Sequence, residues 1–239
     1  MNINNPCFNV FYEHRNTSVN WLNADSQKTY FHNWRNFHDQ LEKNGWIKKS
    51  ISYTFNSEGF RSEEFTQDDS ILFLGCSITM GIGLPLEDIF PTKVSTALNL
   101  KCLNLGLAGT SSDTAFRLAL HYLEKLRPKV VVLSTLFPAR MEILNFDKVI
   151  NLAPRWGYYS DLYKEWLATE ENVYLHEIKN MLAIKYLCET IGSKFIYIDD
   201  IDTISNENNT LARDLLHPGI NFHKSLSDII LEKINGALT

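Results

Sequence analysis

The sequence predicts an α/β fold, a three-layer α/β/α sandwich with helices on both faces of a parallel sheet. Three observations predict it. From Ser70 onward, short and largely apolar runs alternate with longer segments of helical periodicity. The runs Ile71–Leu74, Lys101–Leu105, Val130–Leu133 and Lys194–Ile198 have the length of strands and the composition of strands covered on both faces. Strands joined by helical crossovers pair in parallel, because the crossover returns the chain to the end of the sheet at which the preceding strand began.

Residues 1–68 read differently, as an extension rich in aromatic residues and Asn, ahead of a main domain over 69–239. A helix is predicted from Ser26 to Asn44, where Tyr30, Trp34, Phe37 and Leu41 follow at spacings of four, three and four and Gly45 caps the end. Ile51, Tyr53 and Phe55 alternate along a strand from Lys49 to Phe55, and Asn56-Ser57-Glu58-Gly59 has the residues of a turn. Trp21, Tyr30, Trp34 and Trp46 either pack the extension onto the main domain or offer faces for sugar rings.

Within the main domain a helix over Glu87–Leu98 follows the first strand. After the second strand, Ser111 or Ser112 caps a helix whose apolar face is Ala115, Leu118, Ala119, Tyr122, Leu123 and Leu126, and Pro128 ends it. A helical region from Ser160 to Thr190, interrupted near Glu170, leads to the fourth strand. The last helix, Ile220–Asn235, carries Leu226, Ile229, Ile230 and Ile234 on one face.

Bulk properties bound the function. The chain of 239 residues is 44% hydrophobic and 21% charged, with a formal net charge of −5. That balance argues against nucleic acid as the main partner, since phosphate binding needs a basic face. No apolar run approaches the ~18 residues of a membrane span, and the N-terminus MNINNPCFNVFYEH lacks the regions of a secretory signal. A cytoplasmic protein is expected. Cys7, Cys76, Cys102 and Cys188 are scattered, without a CxxC pair or a Cys/His cluster, which suits reduced thiols and gives no metal site.

In a sheet of this kind the site forms beyond the carboxyl ends of the strands. After the first strand stands Gly75-Cys76-Ser77-Ile78-Thr79-Met80-Gly81-Ile82-Gly83. It lacks the Lys-Ser/Thr of a P-loop, Leu86 stands where a dinucleotide fingerprint needs glycine, and Thr79 occupies the last position of a lipase-type elbow. What remains is a tight turn exposing one hydroxyl, Ser77, which either caps a short helix or serves as a nucleophile. A hydroxyl nucleophile needs a base, and a histidine oriented by a carboxylate supplies one. Asp214-Leu215-Leu216-His217, just before the last helix, places both residue types on one turn.

Together these residues resemble the SGNH (GDSL-like) serine hydrolases, from about Ser52 to the C-terminus. Gly75-Cys76-Ser77-Ile78-Thr79 is similar to that family's first motif with Cys76 in place of Asp. Asn104-Leu105-Gly106-Leu107-Ala108-Gly109-Thr110-Ser111-Ser112 is similar to the second, and Asp214-Leu215-Leu216-His217-Pro218 to the last. Asn56-Ser57-Glu58-Gly59-Phe60-Arg61 resembles a lead-in segment of many members. The resemblance implies a flavodoxin-like fold, a Ser77-His217-Asp214 triad, an acyl-enzyme, an oxyanion hole formed by the N–H groups of Ser77 and Gly109, and no cofactor. It implies hydrolysis of an acyl ester, with short-chain or O-acetyl groups, on a carbohydrate or a small molecule, as the substrate class. An inactive binding module of the same fold and an O-acyltransferase using the same triad are the alternatives. The lead-in segment and the N-terminal part are also similar to SGNH proteins of tailed phages, which implies a virion-associated protein as the alternative to a cytoplasmic one.

One motif is missing: Val132-Leu133-Ser134-Thr135-Leu136-Phe137-Pro138-Ala139-Arg140 contains no Gly-x-Asn-Asp, whose asparagine assists the oxyanion in the family. Arg140, with Ser134 and Thr135 behind it, is the candidate replacement, unless Arg140 pairs with Glu142 instead. His121 and His223 are read as packing or surface residues, and His14, His32 and His38 belong to the extension.

Overall fold

The structure is a computed structural model that describes residues 14–134, 140–145, 148–153, 169–199, 204 and 210–236. The chain opens with β1 (Ser18–Val19), α1 (Gln27–Asn36), α2 (His38–Lys43) and β2 (Tyr53–Thr54), which pairs antiparallel with β1. The main sheet begins at β3 (Ser70–Leu74), followed by the short helix α3 (Ser77–Met80), a 3-10 turn at Leu86–Asp88 and α4 (Phe90–Leu98). Then come β4 (Lys101–Asn104), α5 (Ser112–Leu126), β5 (Val130–Ser134) and an antiparallel hairpin of β6 (Met141–Asn145) and β7 (Lys148–Leu152). Helix α6 (Glu170–Thr190), β8 (Lys194–Ile198) and α7 (Ile220–Gly236) complete it.

Four strands form one parallel sheet in the order β4-β3-β5-β8, and β3 and β5 at its centre are buried along their whole length. Alternation along β3 divides the core. Leu72 and Leu74 face α5 and α6 with Leu103, Val131, Leu133, Ile184 and Cys188. Ile71 and Phe73 face α4 and α7 with Val132, Ile196, Phe90, Leu226 and Ile230. Each such side chain contributes roughly 1.5–3 kcal/mol on burial, so covering both faces makes these strands the rigid base of whatever stands at their ends. The fold is the predicted three-layer one. The edge strand β4 is closed off by side chains: Ser62 Oγ donates to Cys102 O and accepts from Asn104 N–H, while Glu63 accepts from Cys102 N–H.

Several expectations change in detail. The helix expected over Ser26–Asn44 breaks at Phe37 (φ −138°, ψ 36°), and Ser26 caps its start by accepting from Thr29 N–H. The expected apolar face is rotated: Leu41 is fully buried, but Trp34 and Phe37 are 38% and 44% exposed, and the residue α1 turns inward is Asn33. A buried polar contact, Asn33 Nδ2 to Asp214 O at 2.9 Å, holds that orientation against the apolar stripe. The expected strand at Lys49–Phe55 shrinks to Tyr53–Thr54, because β1 offers it only two partners, yet Ile51, Tyr53 and Phe55 are buried as alternation predicts. The β6–β7 hairpin was not expected from sequence. The first part of the helical region expected from Ser160 lies outside the described residues.

Residues 14–68 share a third core with the loops of the main domain: Leu22, Leu41, Trp46, Ile51, Tyr53 and Phe55 pack against Met80, Ile82, Leu84, Ile89 and Ala212. Trp46 is buried and donates its indole N–H to Leu211 O at 2.7 Å. Trp21 lies under the Arg213 guanidinium at 4.2 Å, and Tyr30 bonds the carbonyls of Trp46 and Ile47. Of the four aromatics weighed as sugar platforms, only Trp34 is exposed.

Candidate active site

The turn after β3 places Ser77 at the first position of α3, half-buried, with Gly81 in the left-handed conformation ending the helix. Thr79 Oγ1 and Ser134 Oγ, 2.6 Å apart, sit directly over Gly75, where a side chain would lie 2.0 Å from Thr79 Oγ1. Gly106, after β4, comes so close that a Cβ there would lie 2.6 Å from Met80 N. Asn104 bridges the two loops, donating to Thr79 O and accepting from Gly106 N–H. Glycine at 75 and 106 is thus what lets the β3 and β4 loops close around α3.

The second half of the site is the loop before α7. A bridge between Leu211 and Pro218, with Ala212 N–H donating to His217 O, pinches residues 212–217 into a compact turn. Leu215 takes φ +57° at its centre, an uncommon conformation for a leucine that costs of the order of 1 kcal/mol. The turn points Asp214 and His217 the same way: His217 Nδ1 lies 2.5 Å from Asp214 Oδ2, and Asp214 Oδ1 accepts the N–H groups of Leu216 and His217 at 3.0 Å each. Asp214 is buried, while the His217 side chain keeps 21% of its surface. Burial would raise the Asp214 pKa, but the His217 interactions and the two backbone donors outweigh it and hold the carboxyl below its usual range. An ionised carboxylate only accepts, so His217 carries its proton on Nδ1 when neutral and leaves Nε2 as the basic nitrogen.

The structure therefore brings Asp214 and His217 into contact. It does not close the remaining link: among the described residues the only side-chain neighbour within bonding distance of Ser77 Oγ is Cys76 Sγ, at 3.9 Å. The two loops nevertheless abut. Arg213 N–H donates to Gly83 O, and a Cβ on Gly83 would lie 2.8 Å from Ala212 Cβ. Gly109 adopts φ +78°, and neither its N–H nor that of Ser77 has a protein acceptor among the described residues.

The remaining candidates separate. Ser134 is committed to Thr79. Thr135 lies outside the described residues. Arg140 is partly buried just before β6, and Glu142 is engaged by Arg117, Nε to Oε1 at 2.5 Å, with both side chains 3% exposed. His223 is buried rather than on the surface, accepting Phe90 N–H at Nδ1, and His121 lies 2.9 Å from Lys125 Nζ. Cys76, Cys102 and Cys188 are free and buried, and burial raises the Cys102 and Cys188 pKa values to about 12. Among the described residues no cluster of His, Cys, Asp and Glu could hold a metal, and no helix is long and apolar enough to cross a membrane.

Sequence reasoning missed the groups behind these loops. Arg61, from the lead-in segment, is 1% exposed and donates to the carbonyls of Met80, Gly81 and Leu84. Burial lowers its pKa to about 10. Asp25, 1% exposed, receives both Nε and Nη2 of Arg213 and the hydroxyl of Tyr53. A charged residue next to Asp214 and an arginine inside a recognisable segment were the available signals.

No protein-family model and no curated protein matches this sequence. Solved structures similar to it include a lipolytic protein of the G-D-S-L family from Desulfitobacterium hafniense, at 11% identity and a TM-score of 0.45 over 67% of this chain and 97% of that one. TesA is similar at 11% identity and a TM-score of 0.45, over 67% of this chain and 94% of its own. The psychrotrophic esterase EstA from Pseudoalteromonas sp., in a form inhibited by monoethylphosphonate, is similar at 15% identity and a TM-score of 0.38, over 72% of this chain and 99% of its own.

Proposed function

We propose that this protein is a serine ester hydrolase in which Ser77 is the nucleophile, His217 the general base and acid, and Asp214 the residue that orients His217. The observation that carries the reading is the buried Asp214 carboxylate, gripping His217 Nδ1 and two backbone N–H groups while Nε2 is left unpaired. That grip stabilises the imidazolium that forms as Ser77 Oγ loses its proton and attacks the ester carbonyl. The N–H groups of Ser77 and Gly109 take the oxyanion, with Arg140 as a third donor in place of the family's asparagine. The tetrahedral intermediate collapses as His217 protonates the leaving alcohol, and water releases the acyl group by the same steps in reverse.

The substrate we propose is a short acyl or O-acetyl ester, on a carbohydrate. A cavity of about 330 Å³ between α1, α2 and the Asp214–Leu216 turn lies on the Asp214 side and is lined by neither Ser77 nor His217, so the substrate class rests on the resemblance of the motifs. Intact-mass analysis after fluorophosphonate treatment tests the nucleophile: one adduct on the wild type and none on Ser77→Ala is the expected result. The absence of a Ser77–His217 hydrogen bond favours a second reading, a binding module of the same fold without activity. A folded wild type that takes no adduct would put that reading first.

A further inference from the structure

The candidate site joins two loops that are far apart in sequence, residues 77–84 and 211–217, and a relay from the N-terminal segment holds them together. Asp25 is its hub. Its carboxylate accepts Arg213 Nε at 2.9 Å and Nη2 at 2.7 Å, and Tyr53 Oη donates to it at 2.5 Å. The same Tyr53 oxygen accepts the N–H of Gly83 at 2.8 Å, and the Gly83 carbonyl accepts the N–H of Arg213 at 3.0 Å. The bonds close a ring: Asp25, Tyr53, Gly83, Arg213 and back to Asp25. Asp25, Tyr53 and Arg213 are each at most 4% exposed, so water cannot substitute for a missing member. Asn33, on α1, adds a separate tether to the Asp214 carbonyl.

A buried ion pair of this kind is not a source of stability, since desolvating two charges roughly cancels their attraction. What such a pair supplies is a fixed geometry, and here the geometry fixed is the separation of the turn carrying Ser77 from the turn carrying His217. Gly83 lies three residues beyond the end of α3, just after Ile82, whose N–H bonds back to Ser77 O at 3.1 Å, and Arg213 is the immediate neighbour of Asp214. From this arrangement we infer that Asp25 and Tyr53 are positioning residues, which set the register between nucleophile and base from outside the main domain. The inference rests on the hydrolase reading above and adds a role for the N-terminal segment.

The test is the rate of fluorophosphonate labelling of Ser77, which needs the Ser77–His217 alignment but no natural substrate. Tyr53→Phe deletes one hydroxyl, leaving the Asp25–Arg213 pair in place and the Gly83 N–H without its acceptor. Labelling of the folded variant is expected to slow about ten- to a hundred-fold, as for sub-ångström misplacement of reacting groups, with the midpoint of its pH profile unchanged. Tyr122→Phe deletes a comparable hydroxyl, bonded to Glu58 away from these loops, and is the control expected to label at the wild-type rate. If Tyr53→Phe does not fold, Asp25→Asn, which keeps the size of the hub and removes its charge, asks the same question of the ring. Equal labelling of wild type and either folded variant overturns the inference and leaves the hydrolase reading standing. A wild type that takes no probe overturns both.

Discussion

His223 makes the stability of this protein depend on pH in a calculable way. The residue lies on α7, 1% exposed, stacked on Phe90 at 5.8 Å, with Nδ1 accepting the Phe90 N–H at 3.1 Å. Protonating Nδ1 would set two donors against each other in a buried site. Burial first, then the charges of Lys93, His217 and Arg61, lowers its pKa from 6.5 to about 3. The unfolded chain takes up this proton near pH 6.5 and the folded chain does not, so the unfolded state binds more protons throughout the window between the two values. The contribution is complete above the unfolded pKa and is lost as pH falls below it, at up to ~1.4 kcal/mol per pH unit. Between about pH 7.5 and about pH 5 the loss amounts to roughly 2 kcal/mol. Urea unfolding of the wild type and His223→Gln across that range measures it, because glutamine keeps an acceptor for Phe90 N–H but cannot be protonated. The variant curve should be flatter by that amount whatever its absolute stability. Parallel curves for the two proteins would refute the reasoning.

Other perturbations act at the site itself. Asp214→Asn removes the charge that fixes the His217 tautomer and should lower kcat for a small activated ester by about 10⁴, with near-ultraviolet circular dichroism unchanged. Gly106→Ala drives a methyl group to within 2.6 Å of Met80 N, which should cost ~1–3 kcal/mol in urea and slow labelling of Ser77 by displacing α3. Arg140→Met should lower kcat by about 10²–10³ with little change in KM, the cost of one oxyanion donor, read from steady-state kinetics. Arg117→Met leaves Glu142 charged and buried without its guanidinium, and thermal unfolding should register a loss of about 3–5 kcal/mol.

The main domain was legible in the sequence because its strands are covered on both faces, so apolar runs such as Val130–Leu133 announce themselves without tertiary context. Its helices were equally plain where one face alone is apolar, and every member of the expected α5 face is buried. The N-terminal segment was less legible for a physical reason. Its orientation is set by polar bonds, Asn33 to Asp214 and Asp25 to Arg213, and periodicity counts only apolar positions. That is why the expected stripe left Trp34 and Phe37 facing outward. The β6–β7 hairpin escaped for a related reason, since Glu142 reads as a surface residue until Arg117 buries it. In the candidate site, the Asp214–His217 contact followed from a spacing within one turn, whereas the distance between Ser77 and His217 depends on how two remote loops pack, which no spacing encodes.

The packing around α3 shows why that distance has little freedom. Four residues of helix cannot stabilise themselves, since nucleation costs more than so few hydrogen bonds return. The turn is held from outside instead. From below, the close approach allowed by Gly75 and Gly106, with Asn104 bonded to Thr79 O, ties it to β3 and β4. From one side Arg61 collects the carbonyls of Met80, at the end of the helix, and of Gly81 and Leu84 beyond it. From the other, Tyr53 and Arg213 hold Gly83. These supports also account for the polar side chains nearby. Asn104, Thr79 and Ser134 are spent on holding the turn, so none of them is free to donate to a developing oxyanion. In the proposed mechanism the task falls to Arg140 and to the backbone N–H groups of Gly109 and of Ser77, the last of which these supports hold in place. The oxyanion hole proposed above needs the turn to be rigid, and Arg61 and Tyr53, from the segment that precedes the sheet, supply part of its support.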